Sequence, residues 1–506
     1  MNSKKHILKN FSTFLFSDLV ILLFGLISRT LFIKTIGDYF LGITAVLNSI
    51  IGLLALSNLG LGDAIVYCLI KEISQDKKEE IRSVFNYSKK IFRIIILILI
   101  IASIMIIPLI TFFVPDILDF KSFMVYYMFF VLSKILTYQV GPYNSVIRAD
   151  QKIRIIQKGN LLGYVVSTLL QIVAMFFGGS YLIYVIFMLL GTLITNIYIV
   201  IYFRKEYKWV LISSKTIDQD KKVYIYNKVK DVSITRISST LIEMTDNFLI
   251  SKFVGTVMVG YYSNYMMIIQ NIRSLAKNLY NSMESSIGMH TTKINAKDKV
   301  LLYKNVLFLY HLIGSVLSIG VALLMQDFII IWIGKKYLLS KIILYVLIFD
   351  LYLNILIYAQ TGFINTTDVF KKIKSVYFLG AIINVLLSLI FVKYFGLLGI
   401  ILGTLISRIV CNFPFGIYYL CKDQFKVPFN KILILNVKYI IIFFLVLLIN
   451  DSILLCFKVN NFVDFIFKGI LTVLLTIIIN ILFCRNNMEL KIFKSKFKET
   501  LKKFKF

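Results

Sequence analysis

The sequence predicts an all-α polytopic membrane protein with about fourteen transmembrane helices, arranged as two parallel six-helix repeats followed by two further helices. Three observations predict it. Hydrophobic residues fill 58% of 506 positions and charged residues only 16%. Mostly apolar runs of eighteen residues or more recur from end to end, each long enough for the hydrocarbon core of a bilayer. Finally, the motif Lys34-x-x-Gly37-x-x-x-x-Gly42 returns 218 residues later as Lys252-x-x-Gly255-x-x-x-x-Gly260, each copy closing one apolar run and opening the next.

At about twenty residues per crossing, spans are expected near 11–36, 39–70, 91–114, 123–147, 160–178, 181–203, 233–254, 257–286, 301–325, 341–366, 377–395, 398–420, 434–450 and 462–484. The basic start and first run continue past Ile33 without a small-residue cleavage site, so the first run reads as an uncleaved span. A second echo, Gly191-Thr192-Leu193-Ile194-Thr195 and Gly403-Thr404-Leu405-Ile406-Ser407, is offset by 212 residues. The repeat is therefore six spans, and because six is even the two copies enter from the same side. This predicts an N-terminal lobe over 1–203, a cytoplasmic linker over 204–231, a second lobe over 232–421, two additional spans within 434–484, and a basic tail over 485–506. Duplication of this kind is the usual signature of a transporter with its site between the halves.

Orientation follows from the 56 Lys and Arg. Segments before 11 and at 71–90, 148–158, 204–230, 293–304, 371–374, 422–431 and after 484 hold 39 of them, whereas the alternate loops hold five. The positive-inside rule then places both termini in the cytoplasm. The same rule accounts for the net charge of +30 without nucleic acid, because the excess is topogenic and lipid-facing. In the tail, Leu490, Phe493, Phe497, Leu501 and Phe504 fall at helical spacing among lysines, as expected of an amphipathic helix on an anionic leaflet.

Several chemistries are excluded by what is missing. Cys68, Cys411, Cys421, Cys456 and Cys484 are scattered and odd in number, and form neither a disulfide framework nor a metal set. His6, His290 and His311 have no ligand spacing around them, and no phosphate-binding loop ending in GK[ST] is present. No cofactor is expected. Energy for transport must come from an ion gradient, the membrane potential or the substrate's own gradient.

Ionisable groups inside spans cost about 2.5–3.5 kcal/mol each at mid-depth, so they are expected to face a polar interior. In the first span, Asp18 and Arg29 return to within about 20° of one face. The second span carries Asp63 and the fourth carries Lys134. In the seventh, Arg236 and Glu243 share a face, with Asp246 about 60° away; in the eighth, Arg273, Lys277 and Glu284 lie within about 40°. Arg29, Lys134, Arg273 and Lys277 make a cationic cavity suited to an anionic substrate. Asp18, Asp63, Glu243 and Asp246 are the candidates for ion coupling or for pairing with those cations. Lys34, Lys252, Arg236 and Glu284 lie near span ends, where anchoring at the interface suffices. Pro108, Gly141-Pro142 and Pro414 interrupt spans and read as structural kinks.

Four motifs carry a family resemblance: Asn58-Leu59-Gly60-Leu61-Gly62, the duplicated Lys-x-x-Gly-x-x-x-x-Gly turn, Trp332-Ile333-Gly334-Lys335-Lys336-Tyr337, and Tyr394-Phe395-Gly396 continuing through Gly399 and Gly403-Thr404. Together they resemble polysaccharide flippases of the O-antigen, capsule and teichuronic-acid export type, within the multidrug/oligosaccharidyl-lipid/polysaccharide exporter superfamily. The resemblance covers essentially the whole chain. It implies a protein of the bacterial cytoplasmic membrane that moves a polyprenyl-pyrophosphate-linked oligosaccharide to the outer leaflet by alternating access. It further implies that central cations meet the pyrophosphate, that the last two spans house the lipid tail, and that polymerase and glycosyltransferases of the same pathway are partners. Arg suits bidentate phosphate contact and Lys point-charge neutralisation. Tyr261, Tyr262, Tyr265 and Tyr280 are candidates for stacking on sugars, or for packing.

Two other functions fit parts of this pattern. A cation-coupled multidrug exporter shares the doubled six-span core, but not the two extra spans or a net cationic interior. A membrane polysaccharide polymerase or glycosyltransferase needs catalytic groups on a sizeable outer loop, where only Asp327 and Asp451 are available as acids.

Overall fold

A computed structural model describes residues 2–55, 60–212, 216–291, 294–367, 369–455, 457, 459, 461–485, 487 and 489–490. Among these residues the chain is helical throughout, with no strand. Contacts divide it into two compact units, Met1–Ser263 and Asn264–Phe506. The first holds α1 (Asn2–Thr35), α2 (Asp38–Leu54), α3 (Leu61–Ser74), α4 (Lys78–Met105), α5 (Ile107–Phe113), α6 (Phe120–Gln139), α7 (Gly141–Ala149), α8 (Ile153–Phe176), α9 (Tyr181–Glu206), α10 (Gln219–Phe253) and the start of α11 (Thr256–Thr291). The second holds the rest of α11 with α12 (Ala296–Trp332), α13 (Lys341–Asn365), α14 (Val369–Phe395), α15 (Leu397–Ser407), α16 (Phe413–Leu420), α17 (Phe429–Leu454) and α18 (Phe462–Phe483).

Each of the fourteen expected spans falls on helix. Ten described helices are long and apolar enough to cross a membrane, and the bent pair α4–α5 makes an eleventh. The other three fail for visible reasons. The second span is split into α2 and α3, while α10 and α11 are rich in polar as well as charged residues, with Arg236, Glu243, Asp246 and Lys252 on one and Asn264, Gln270, Asn271 and Arg273 on the other. Exposed apolar stripes, such as Phe16, Leu19, Leu23 and Ile27 on α1, present the lipid-facing surface of a polytopic protein.

Breakers act unequally. Pro108 sits in the first turn of α5, after a 54° bend, where its missing N–H would be unsatisfied anyway. Gly141-Pro142 opens α7 in the same way. Pro414 breaks nothing: α15 runs into α16 through a wider π-helical turn at Arg408–Asn412, which absorbs the misfit.

Both sequence echoes are contacts in space. Gly37 (φ 100°) and Gly255 (φ 117°) take left-handed turns that a side chain would strain. Each turn starts a helix, α2 or α11, and the two helices cross at the second glycine of each motif. A Cβ on Gly42 would lie 1.9 Å from the carbonyl oxygen of Thr256, and one on Gly260 would lie 2.9 Å from that of Asp38. Asp38 and Thr256 are themselves equivalent residues of the two motifs, so the two contacts are reciprocal. The second echo works inside each repeat. Gly191 of α9 presses on Ser167 and Gly163 of α8, and Gly403 of α15 presses on Ser388 of α14. Close approach at small residues replaces the hydrophobic drive that lipid cannot supply.

The last two helices join the second unit through polar contacts that hydropathy does not display. Lys468 of α18 pairs with Asp327 of α12 at 2.7 Å, and Asn436 of α17 bonds Tyr303 of α12 at 3.3 Å. Buried His311 donates through Nδ1 to the Tyr352 hydroxyl at 2.8 Å, which donates in turn to the Tyr439 carbonyl. Residues 491–506, the main part of the expected amphipathic tail, and Asn58-Leu59 lie outside the described residues.

Candidate functional site

In the first unit, Arg29 projects from α1 to the motif of α11. Its Nη2 donates to the Ser263 hydroxyl, which donates to the carbonyl of Gly260 at 2.7 Å. One turn further along α1, Phe32 packs edge-on against Tyr184 at 4.7 Å and lies 6.0 Å from Tyr181, which also meets Phe40 and Tyr126. Arg29 therefore stands beside a rigid aromatic wall. Asp18, three turns away on α1, is half-buried. Lys134 of α6 sets its ammonium 5.2 Å from the ring centre of Tyr138, a cation–π contact one turn ahead on the same helix.

Asp63 and Asp246 occupy different surroundings. The Asp63 carboxylate on α3 accepts a 2.7 Å bond from Arg148 of α7, so this acid is held by a cation that the sequence reading placed only in a loop. Asp246 is buried on α10, where its neighbour Asn247 donates to Ser49 of α2 at 2.9 Å. The side chains of Glu243 and Arg236 lie outside the described residues.

In the second unit the stripe expected on α11 turns toward α13. Arg273 Nη2 lies 3.4 Å from Asp350 Oδ2, and Arg408 Nε lies 2.8 Å from Asp350 Oδ1. The longer contact is a hydrogen bond; the shorter one is an ion pair without hydrogen-bond alignment. Two turns along, Tyr280 and Tyr358 stack with centroids 5.4 Å apart. A further turn brings Glu284, which accepts from Tyr280 at 2.5 Å and from Asn365 at 2.9 Å. Lys277 does not join this seam and is exposed.

Asp350 and Arg408 went unremarked in the sequence. They sit in the tenth and twelfth spans, where long apolar runs outweigh a single charge, although the rule that flagged Arg29 applies equally to them. Asp350 is all the more telling because α13 is buried nearly all round: Ile348, Leu351, Tyr352, Ile355, Leu356 and Ala359 are at most 1% exposed. A carboxylate among them requires a partner. Tyr262, Tyr265 and Tyr280 are buried, and the Tyr265 hydroxyl accepts the Leu339 N–H, so these three pack rather than offer free faces. No group of three or more metal-ligating side chains occurs among the described residues.

Apolar helices bearing ionised groups inside each of two units define a polytopic membrane protein with polar interior surfaces. The chain belongs to the polysaccharide biosynthesis protein family, whose model matches residues 7–283. No curated protein matches it in sequence. Its fold is shared with solved structures of low identity. The lipid II flippase MurJ, in an inward closed conformation, is 17% identical, with a TM-score of 0.66 over 94% of this chain and 99% of that one. An inward-facing multidrug resistance MATE family transporter of the MOP superfamily is 15% identical, with a TM-score of 0.63 over 79% and 94%. A MOP superfamily transporter from Pyrococcus furiosus, described as having a binding pocket of reverse polarity, is 13% identical, with a TM-score of 0.60 over 84% and 97%.

Proposed function

We propose that the protein is a flippase carrying a polyprenyl-pyrophosphate-linked oligosaccharide from the cytoplasmic to the outer leaflet of a bacterial cytoplasmic membrane by alternating access. The observation that carries this reading is the set of cations on otherwise apolar helices, Arg29 and Lys134 in one unit and Arg273 in the other, within a polysaccharide biosynthesis family. A sugar head group cannot cross hydrocarbon unaided, and its pyrophosphate needs fixed positive charge to leave water. Lys277 is assigned to the same substrate path, where its exposure suits a first contact. Both termini are assigned to the cytoplasm on the positive-inside rule. The polymerase and glycosyltransferases that consume and supply the substrate are its proposed partners.

Depletion of the protein should strand complete lipid-linked units on the cytoplasmic leaflet, read with a sugar-specific probe that cannot enter the cell. Asp18, Asp63, Glu243 and Asp246 are assigned to ion coupling or pairing, with buried Asp246 and Glu243, three residues before it, the proposed proton carriers. Transport by a Glu243→Gln/Asp246→Asn double variant should no longer respond to a pH gradient. An undiminished response would remove both acids from the coupling step.

A further inference from the structure

The segment expected as a linker, 204–231, is docked on the first unit where it is described. Its Tyr207, Val210, Ile217 and Ile225 are buried, and three polar attachments hold it to the helix ends assigned to the cytoplasm. The Tyr207 hydroxyl donates to Asp150, just after α7, at 2.5 Å. The Trp209 carbonyl accepts from Arg82 Nε of α4 at 2.9 Å, and the Lys78 ammonium and Arg82 guanidinium each lie 5.9 Å from the centre of its ring. Lys221, in the first turn of α10, pairs with Glu72 of α3 at 3.1 Å and with Glu80 of α4. This last attachment is unevenly satisfied. Two carboxylates share one ammonium, and the Glu72 side chain is only 7% exposed. Its Oε1 takes the ion pair, while its buried Oε2 has no hydrogen-bond partner among the described residues. A buried carboxylate oxygen without a donor opposes the gain from pairing.

We propose that Lys221, Glu72 and Glu80 form a releasable latch. Closed, it pins the start of α10 to the α3–α4 turn; open, it lets the strap from Tyr207 to Lys221 lift away, and transport requires both states. The last clause rests on the flippase reading. Three features make the element bistable rather than fixed. The unmet Glu72 oxygen raises the energy of the closed state. Glu80 is 36% exposed, so water competes for its half of the pairing. The strap itself is anchored by few apolar side chains, which places it among the segments that open locally. The latch also has a native reporter. Cys68, one turn before Glu72 on α3, is 7% exposed and lies near Lys221, Glu72 and Glu80. Opening uncovers it.

The test is the rate at which a water-soluble maleimide labels Cys68 in the purified full chain in detergent, read by peptide mapping below the melting temperature. Lys221→Gln should raise the rate at least about tenfold. Joining Glu80→Cys to Lys221→Cys through a short bis-thiosulfonate bridge should lower it at least about tenfold below the parent, until reduction removes the bridge. Should Lys221→Gln melt early, the bridged protein decides alone, because its closed state is held rather than weakened. Equal labelling of the parent and the bridged protein would mean a fixed contact and overturn the proposal. Transport by the bridged protein should fall more than about tenfold and return on reduction; normal flipping while bridged would also overturn it. Labelling involves no substrate, so its outcome is separate from the flippase reading. A rate that responds to the bridge in a protein that moves no lipid-linked sugar leaves the latch standing, and flipping that ignores the bridge removes only the latch.

Discussion

Arg273→Ala should lower transport by more than about a hundredfold while the protein still folds. Charge-assisted bonds contribute about 1.5–3 kcal/mol each, and a guanidinium offers a phosphoryl group two of them. Folding survives because the acid that Arg273 faces is not abandoned: Asp350 keeps Arg408 at 2.8 Å. Arg273→Lys keeps the charge but loses the planar fork, and should restore only part of the activity. Arg29→Ala should behave alike: Ser263, which accepts from Arg29, keeps its own bond to the Gly260 carbonyl. Transport assays at matched expression, with thermal unfolding alongside, decide the matter. Normal export by both alanine variants would contradict the cationic path.

Gly42→Val should destabilise the folded protein by several kcal/mol, the largest stability effect expected of any single exchange considered. Its Cβ would meet the Thr256 carbonyl at 1.9 Å, and the obstacle is backbone at the start of α11, which cannot swing aside. Overpacking in a core typically costs about 1–3 kcal/mol even where side chains can adjust. Gly52→Ala, ten residues along the same helix, is the control. There the nearest atom is the Met244 sulfur at 2.5 Å, the end of a flexible side chain that can rotate away. Thermal unfolding of the two variants should separate them clearly. Equal melting temperatures would show that the α2–α11 crossing is not a fixed contact.

These two sites also show where sequence reading succeeds and where it stops. The spans were legible because a bilayer imposes length and apolarity on each one. The duplicated turn was legible because only glycine takes the backbone of Gly37 and Gly255 cheaply. That Gly42 and Gly260 touch was not, since a repeated motif states equivalence and says nothing of distance. Ion pairs were the least legible. Asp63 and Arg148 are 85 residues apart and Arg273 and Asp350 are 77 apart, separations at which helical periodicity has no reach. Face arithmetic put Arg273, Lys277 and Glu284 within about 40° on α11, yet could not tell that Arg273 and Glu284 would meet α13 while Lys277 would be exposed. Lys468 with Asp327, and His311 with Tyr352, tie α18 and α13 to α12 by the same kind of long-range pairing.

The central claim is translocation of a lipid-linked oligosaccharide, and its most direct measurement is the leaflet distribution of polyprenyl-pyrophosphate-linked units in cells depleted of the protein. The account predicts complete units accumulating on the cytoplasmic leaflet, out of reach of an external sugar-specific probe, and their return to the outer leaflet on re-expression. Units that reach the outer leaflet at the normal rate without the protein would contradict it.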